Sequence, residues 1–107
     1  MLKHVVCWKL ADADADADAD AALAEREQKV STIVTLLRSL TNVVPSIRSL
    51  SVGPAVLSGP NFWDICLVID FDDVEGLQAY QVHPEHQAVS GRIRALVIDR
   101  AVVDFQV

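Results

Sequence analysis

The chain has 107 residues, 51% of them hydrophobic, and a formal net charge of −6. That length makes a single domain, residues 1–107, burying about two thirds of the surface its unfolded chain exposes, and so much apolar content on so modest a core calls for a second copy as partner. Five of the acidic residues lie in one run from Asp12 to Asp20, so −6 without those five leaves −1; with no basic stripe and no RNA-type aromatic motif, nucleic-acid binding is not expected.

Residues 2–10 alternate as a strand does, with His4, Val6, Trp8 and Leu10 on one face and Lys3, Val5, Cys7 and Lys9 on the other. Met1-Leu2-Lys3-His4 enters this strand without a charged leader and apolar h-region. No apolar run approaches the roughly 18 residues that cross a bilayer, so a cytoplasmic protein with no membrane contact is expected. Cys7 and Cys66 are the only cysteines, and in that compartment two thiols read as buried, reduced packing residues.

Residues 11–20 are five Ala-Asp repeats, a low-complexity, solvated connection whose last aspartate is favoured near the positive end of a helix. From about Asp20 the period becomes helical: Val30, Ile33, Val34, Leu37, Leu40 and Thr41 share a face, and Pro45 ends the segment. Ile47 to Val56, broken by Gly53-Pro54, reads as an irregular edge strand, and Ser58-Gly59-Pro60-Asn61 as a turn. Trp63 to Phe71 is almost continuously apolar and reads as a central strand. Asp72 with Glu75 forms an acidic variant of the capping box, opening a helix through Leu77 and Tyr80. A second helical piece runs to about Leu96, and Asp99 to Val107 alternates as a final strand.

The order β-α-β-β-α-β predicts an α+β, ferredoxin-like subunit: a four-stranded antiparallel sheet with helices on one face only. Strands one and three are then neighbours, and placing Cys7 opposite Cys66 sets a register in which paired residue numbers sum to 73. Lys3 meets Asp70, Val5 meets Val68 and Lys9 meets Asp64 on the helix-free face, while Val6 meets Leu67 and Trp8 meets Ile65 on the other. A slip of one residue destroys both sets of matches. The exposed face carrying Val5, Cys7, Cys66 and Val68 is the predicted homodimer surface.

Tyr80-Gln81-Val82-His83-Pro84-Glu85-His86 holds two of the three histidines around a proline. Proline disfavours helix in the residue before it and suits the first helical position, so His83 closes one segment and Pro84 opens the next. His86 then lies in a first turn, where the helix dipole opposes imidazolium and favours a neutral ring. A positioned neutral histidine and a phenol are the parts that acid/base chemistry at a carbonyl needs, His86 as base and Tyr80 as donor to an oxyanion, with His4 orienting or binding. Trp8 and His83 are candidate ligand-binding residues. The structural alternative has His83 capping a helix, His86 satisfying backbone groups, and Tyr80, His4, Trp8, Trp63 and Phe62 serving as packing. Neither a metal nor another cofactor is expected: the histidines lack ligand spacing, and the Ala-Asp run lacks the glycine and spaced ligands of a calcium loop.

The early Lys3-His4-Val5-Val6, the strand Asp64 to Phe71, the Tyr-x-x-His-Pro-x-His element from Tyr80 to His86, and Val103-Asp104-Phe105 together resemble the stress-responsive A/B barrel family, the Dabb domains, over nearly the whole chain. The resemblance implies that two ferredoxin-like subunits pack sheet to sheet as a dimeric α/β barrel. Members include stress-induced plant proteins, bacterial proteins of unassigned activity, and a plant cyclase that closes linear polyketides by an intramolecular aldol step. By that likeness His4 corresponds to the cyclase's pocket histidine, Tyr80 to its tyrosine before the His-Pro element, and His86 to its catalytic base; a further tyrosine on its first helix has no counterpart, Leu37 standing there. Two readings follow: a homodimer of unassigned role binding a small apolar or aromatic ligand between helices and sheet, or a small acid/base enzyme using His86 and Tyr80.

Overall fold

The computed structural model describes all 107 residues. Four strands and three helices follow in the order β1 (Leu2–Leu10), α1 (Ala19–Arg38), β2 (Ser49–Pro54), β3 (Ile65–Phe71), α2 (Val74–Val82), α3 (Pro84–Arg94) and β4 (Val97–Gln106). The strands form one antiparallel sheet in the order β2-β3-β1-β4, the ferredoxin-like arrangement. β1 and β3 pair from Leu2 opposite Phe71 to Trp8 opposite Ile65, with Cys7 opposite Cys66, which is the register read from the sequence.

Burial along β1 alternates without a break, its even-numbered residues buried and its odd-numbered ones half-exposed. The even face joins Ile65, Leu67, Ile69 and Phe71 of β3, Ile33 and Leu37 of α1, and residues of α2 and α3 in one core. On the odd face Lys3 Nζ donates to Asp70 at 2.8 Å, and Ser49 Oγ donates to the same carboxylate at 2.7 Å. Those two donors, Lys3 first, hold the Asp70 carboxyl below the usual carboxylate range.

Several expectations are corrected. Asp73, not Asp72, caps α2, accepting from Gly76 N–H at 2.9 Å; Asp72 instead takes both ends of the Arg48 guanidinium, at 3.0 and 2.6 Å. Asp64 does not meet Lys9. It accepts from Leu10 N–H at 2.8 Å and pairs with Arg26 at 3.1 Å, while Lys9 Nζ sits 5.2 Å from the centre of the Trp63 ring. α1 ends at Arg38, so Thr41 is exposed, and Leu40 and Val44 reach the core from the turns that follow. β2 and β3 are shorter than read, and Phe62 is half-exposed, not core. On the single subunit Cys66 is exposed and Cys7 half-buried, both as free thiols on the helix-free face.

The Ala-Asp run is solvated but tethered. Lys29 Nζ donates to Ala11 O at 2.9 Å, Asp14 O accepts from Ala17 N–H at 2.9 Å, and Asp18 caps α1 by accepting from Ala21 N–H at 2.8 Å. Only the last is a cap on a long helix. Asp18→Ala is expected to cost about 1 kcal/mol, lowering the melting temperature by about 4–8 °C, while Asp12→Ala and Asp16→Ala leave the melt unchanged. Thermal denaturation of the three variants checks this.

Candidate functional site

The chain change from sheet to helices leaves a cavity of about 390 Å³ where β1, β4 and the α2-α3 corner meet. His4, Val6 and Trp8 of β1 form its floor because they share the inward parity of that strand. Tyr80 enters from the last turn of α2, and His86, Val89 and Ile93 from α3. The register between β1 and β4 shifts where Lys9 faces Asp99 but Leu10 faces Val97, an extra residue at Ile98. Such a bulge re-aims side chains, and here Val97, Ile98, Asp99 and Arg100 all contribute to the wall.

The break between α2 and α3 follows from Pro84. His83 is extended, with φ −65° and ψ 133°, and its Nδ1 accepts from Glu85 N–H at 3.1 Å as the cap of α3. It does not line the cavity, and the structure gives it this capping role. The turn it creates brings the His86 ring to 4.2 Å from the Tyr80 ring, centre to centre, and the His4 ring lies 6.0 Å from the same Tyr80 ring. His4, Tyr80, His86 and Trp8 therefore share one space.

Both cavity histidines are held through Nδ1. His86 Nδ1 lies 3.1 Å from Gln81 O, and a carbonyl only accepts, so this nitrogen carries a proton. His4 Nδ1 lies 2.5 Å from Asp104 Oδ1, its Cα partner across β1 and β4, and the carboxylate accepts in the same way. Each ring leaves Nε2 without a protein partner, and the Tyr80 hydroxyl has none either; none of the three is sealed in the core. Asp104 escaped the sequence analysis because it was read only as a polar step in an alternating strand. Its signal was a carboxylate on the inward parity of that strand, opposite a histidine.

Burial is the main cause that lowers the His86 pKa from the usual 6.5, helped by the nearby charges of His4, Arg100 and His83 and opposed by the Gln81 hydrogen bond. The direction expected from the helix dipole stands, but desolvation leads it. Burial also pushes the Tyr80 phenol up to about 12, with Arg100 opposing. At neutral pH the site thus holds a neutral imidazole able to accept a proton and a phenol able to donate a hydrogen bond. No group of three or more His, Cys, Asp or Glu side chains is placed to hold a metal ion.

A family model, the Stress responsive A/B Barrel Domain, matches residues 2–107. The chain belongs to this family. No curated protein matches it significantly. Among solved structures, the chain is similar to a dimeric protein of unknown function and ferredoxin-like fold from Bacteroides fragilis, 25% identical with a TM-score of 0.79, the match covering 99% of this chain and 95% of that one. A Dabb family protein from Mesorhizobium loti is 17% identical with a TM-score of 0.68, covering 98% and 94%. A hydroxynitrile lyase from Passiflora edulis is 12% identical with a TM-score of 0.72, covering 97% and 90%, a likeness of fold alone.

In this A/B barrel domain the titration of the site is directly readable, since Tyr80 is the only tyrosine. Absorbance titration should show it ionising near pH 12, and NMR should place the His86 midpoint below 6.5. A histidine whose folded pKa is depressed supports stability above its unfolded pKa and loses that support as pH falls through the folded value. Denaturant midpoints of the wild-type protein should therefore decline below about pH 6.5, and His86→Gln should flatten that decline.

Proposed function

We propose that this protein is a homodimer that binds a small, largely apolar carbonyl compound in the cavity and moves a proton on it. The observation that carries the reading is the convergence of His86, Tyr80 and His4 on one cavity of about 390 Å³ with mostly hydrophobic walls. His86 Nε2 takes a proton from the carbon beside the carbonyl. The electron pair of that C–H bond moves into an enolate, whose oxygen accepts a hydrogen bond from the Tyr80 hydroxyl. His4, held by Asp104, presents Nε2 to the same molecule and orients it. If the ligand carries a second carbonyl, the enolate carbon can attack it in an aldol closure, and the proton on His86 returns to the new alkoxide. Leu37 lines the cavity where the resemblance to the polyketide cyclase would call for another phenol, so a substrate with fewer oxygens to anchor fits this wall.

The dimer is supported by the helix-free face. There Val103 and Phe105 are 60% and 43% exposed beside Cys66 and half-buried Val5, Cys7 and Val68, a contiguous apolar surface on an isolated subunit. The description of the Bacteroides fragilis relative as dimeric agrees with it. A Val5 side chain on this face and a His4 side chain in the cavity are adjacent in sequence yet belong to different surfaces.

Catalysis is tested by deuterium incorporation from D₂O into the positions beside the carbonyl of 4-phenylbutan-2-one and related aryl ketones. The wild-type protein is expected to accelerate it, His86→Ala to lose about 10²-fold or more, and Tyr80→Phe to lose about tenfold to 10²-fold. Exchange at the buffer rate across the set, or unchanged in the His86→Ala Tyr80→Phe double variant, would contradict the reading. Sedimentation at micromolar concentration should show a dimer that Val68→Glu converts to monomer and that neither cavity variant disturbs.

A further inference from the structure

The mouth of the cavity carries charge that proton transfer at a ketone does not use. The protein has a net charge of −6, yet the permanently charged groups lining this cavity are two cations, Arg94 and Arg100, and one anion, Asp99. Asp99 Oδ1 accepts the backbone N–H of Arg100 at 2.8 Å and makes no ion pair with its guanidinium, and Asp99 pairs across the strands with Lys9, on the parity opposite Arg100. The ion pairs of the molecule involve Lys3, His4, Arg26 and Arg48; neither Arg94 nor Arg100 takes part in one.

Of the two, Arg100 is the better placed. It is the Cα partner of Trp8, so it stands on the cavity side of β4 next to the inward row of β1, whereas Arg94 belongs to the last turn of α3. The charge of Arg100 is felt at both reactive groups, lowering His86 and opposing the upward push on Tyr80. A guanidinium is planar, always charged and suited to two parallel hydrogen bonds with a carboxylate. At the edge of an apolar cavity it fixes which end of a ligand faces out.

We propose that Arg100 is the specificity-determining residue of this cavity and that the ligand is a small apolar acid, its carboxylate docked on Arg100 and its body packed against Trp8, Val89 and Ile93. This rests on the reading of the cavity as a ligand site. A carboxylate held there leaves the carbon chain pointing inward toward Tyr80 and His86, which orients a carbonyl further along the chain for the proton transfer. The Arg100 contact is made in ground state and transition state alike, so it sets affinity and orientation and adds nothing to the proton transfer itself.

The test compares 4-phenylbutanoate with its isosteric amide, 4-phenylbutanamide, by NMR titration followed at the Trp8 indole and the His86 ring. The wild-type protein is expected to bind the acid about tenfold more tightly than the amide. Arg100→Gln should abolish that preference while leaving amide affinity unchanged, which also shows that the variant is folded; Arg94→Gln should retain it. Equal binding of acid and amide by the wild-type protein, or a preference that survives Arg100→Gln, overturns the assignment of Arg100 while the cavity reading stands. If neither compound moves Trp8 or His86 at millimolar concentration, the cavity reading itself fails and this inference with it.

Discussion

The alternation of β1 is the constraint on which the rest of the molecule depends. β1 is an inner strand, hydrogen-bonded to β3 on one side and β4 on the other, so its pleat is fixed from both edges. Because successive side chains point to opposite faces, one strand delivers His4, Val6 and Trp8 to the core and cavity and Lys3, Val5 and Cys7 to the opposite face. A slip by one residue would exchange the two sets entirely. The Lys3 to Asp70 pair and the apolar matches of Val6 with Leu67 and Trp8 with Ile65 make such a slip costly on both faces at once. The proposed dimer surface and the cavity are therefore two consequences of one register.

The cavity chemistry follows from how polar groups are tolerated beside an apolar core. A histidine can be placed there only if its donor finds an acceptor. His4 finds the Asp104 carboxylate across the strand pair, and His86 finds the Gln81 carbonyl left unused where α2 stops. Pro84 is the cause in the second case, because the interruption that it forces both frees that carbonyl and turns α3 so that His86 faces Tyr80. The interactions that make these rings structurally acceptable also fix Nδ1 as the occupied nitrogen and leave Nε2 without a protein partner. Packing and candidate chemistry thus share the same bonds, and the structural and ligand-binding readings of this motif are not exclusive.

The sequence made legible what depends on period and on covalent geometry. The order of elements, the β1 to β3 register and the break at Pro84 follow from alternation, pairing of charges and the restrictions of proline, which need no knowledge of the remaining chain. Choices between chemically equivalent neighbours were not legible. Asp72 and Asp73 are both adequate caps, and only the position of Arg48 across the turn draws Asp72 away. Lys9 and Asp64 have complementary charge at a suitable register, but the end of the strand turns Asp64 toward Leu10 N–H and Arg26. Asp104 meets His4 and Arg100 enters the cavity wall through the β1 to β4 pairing, a register that the sequence analysis, which matched β1 only with β3, did not draw.

Nuclear Overhauser contacts of consecutive β1 side chains test the central claim most directly. The division of labour along β1 predicts that the His4 ring protons contact Tyr80 and Phe71, whose rings lie 6.0 and 6.4 Å away centre to centre, while the Val5 methyl groups contact Val68 and Val103 and no helix residue. Contacts from Val5 or Cys7 to Tyr80, His86 or Ile33 would show β1 turned over in the sheet, and the assignment of its two faces to cavity and partner surface would be contradicted.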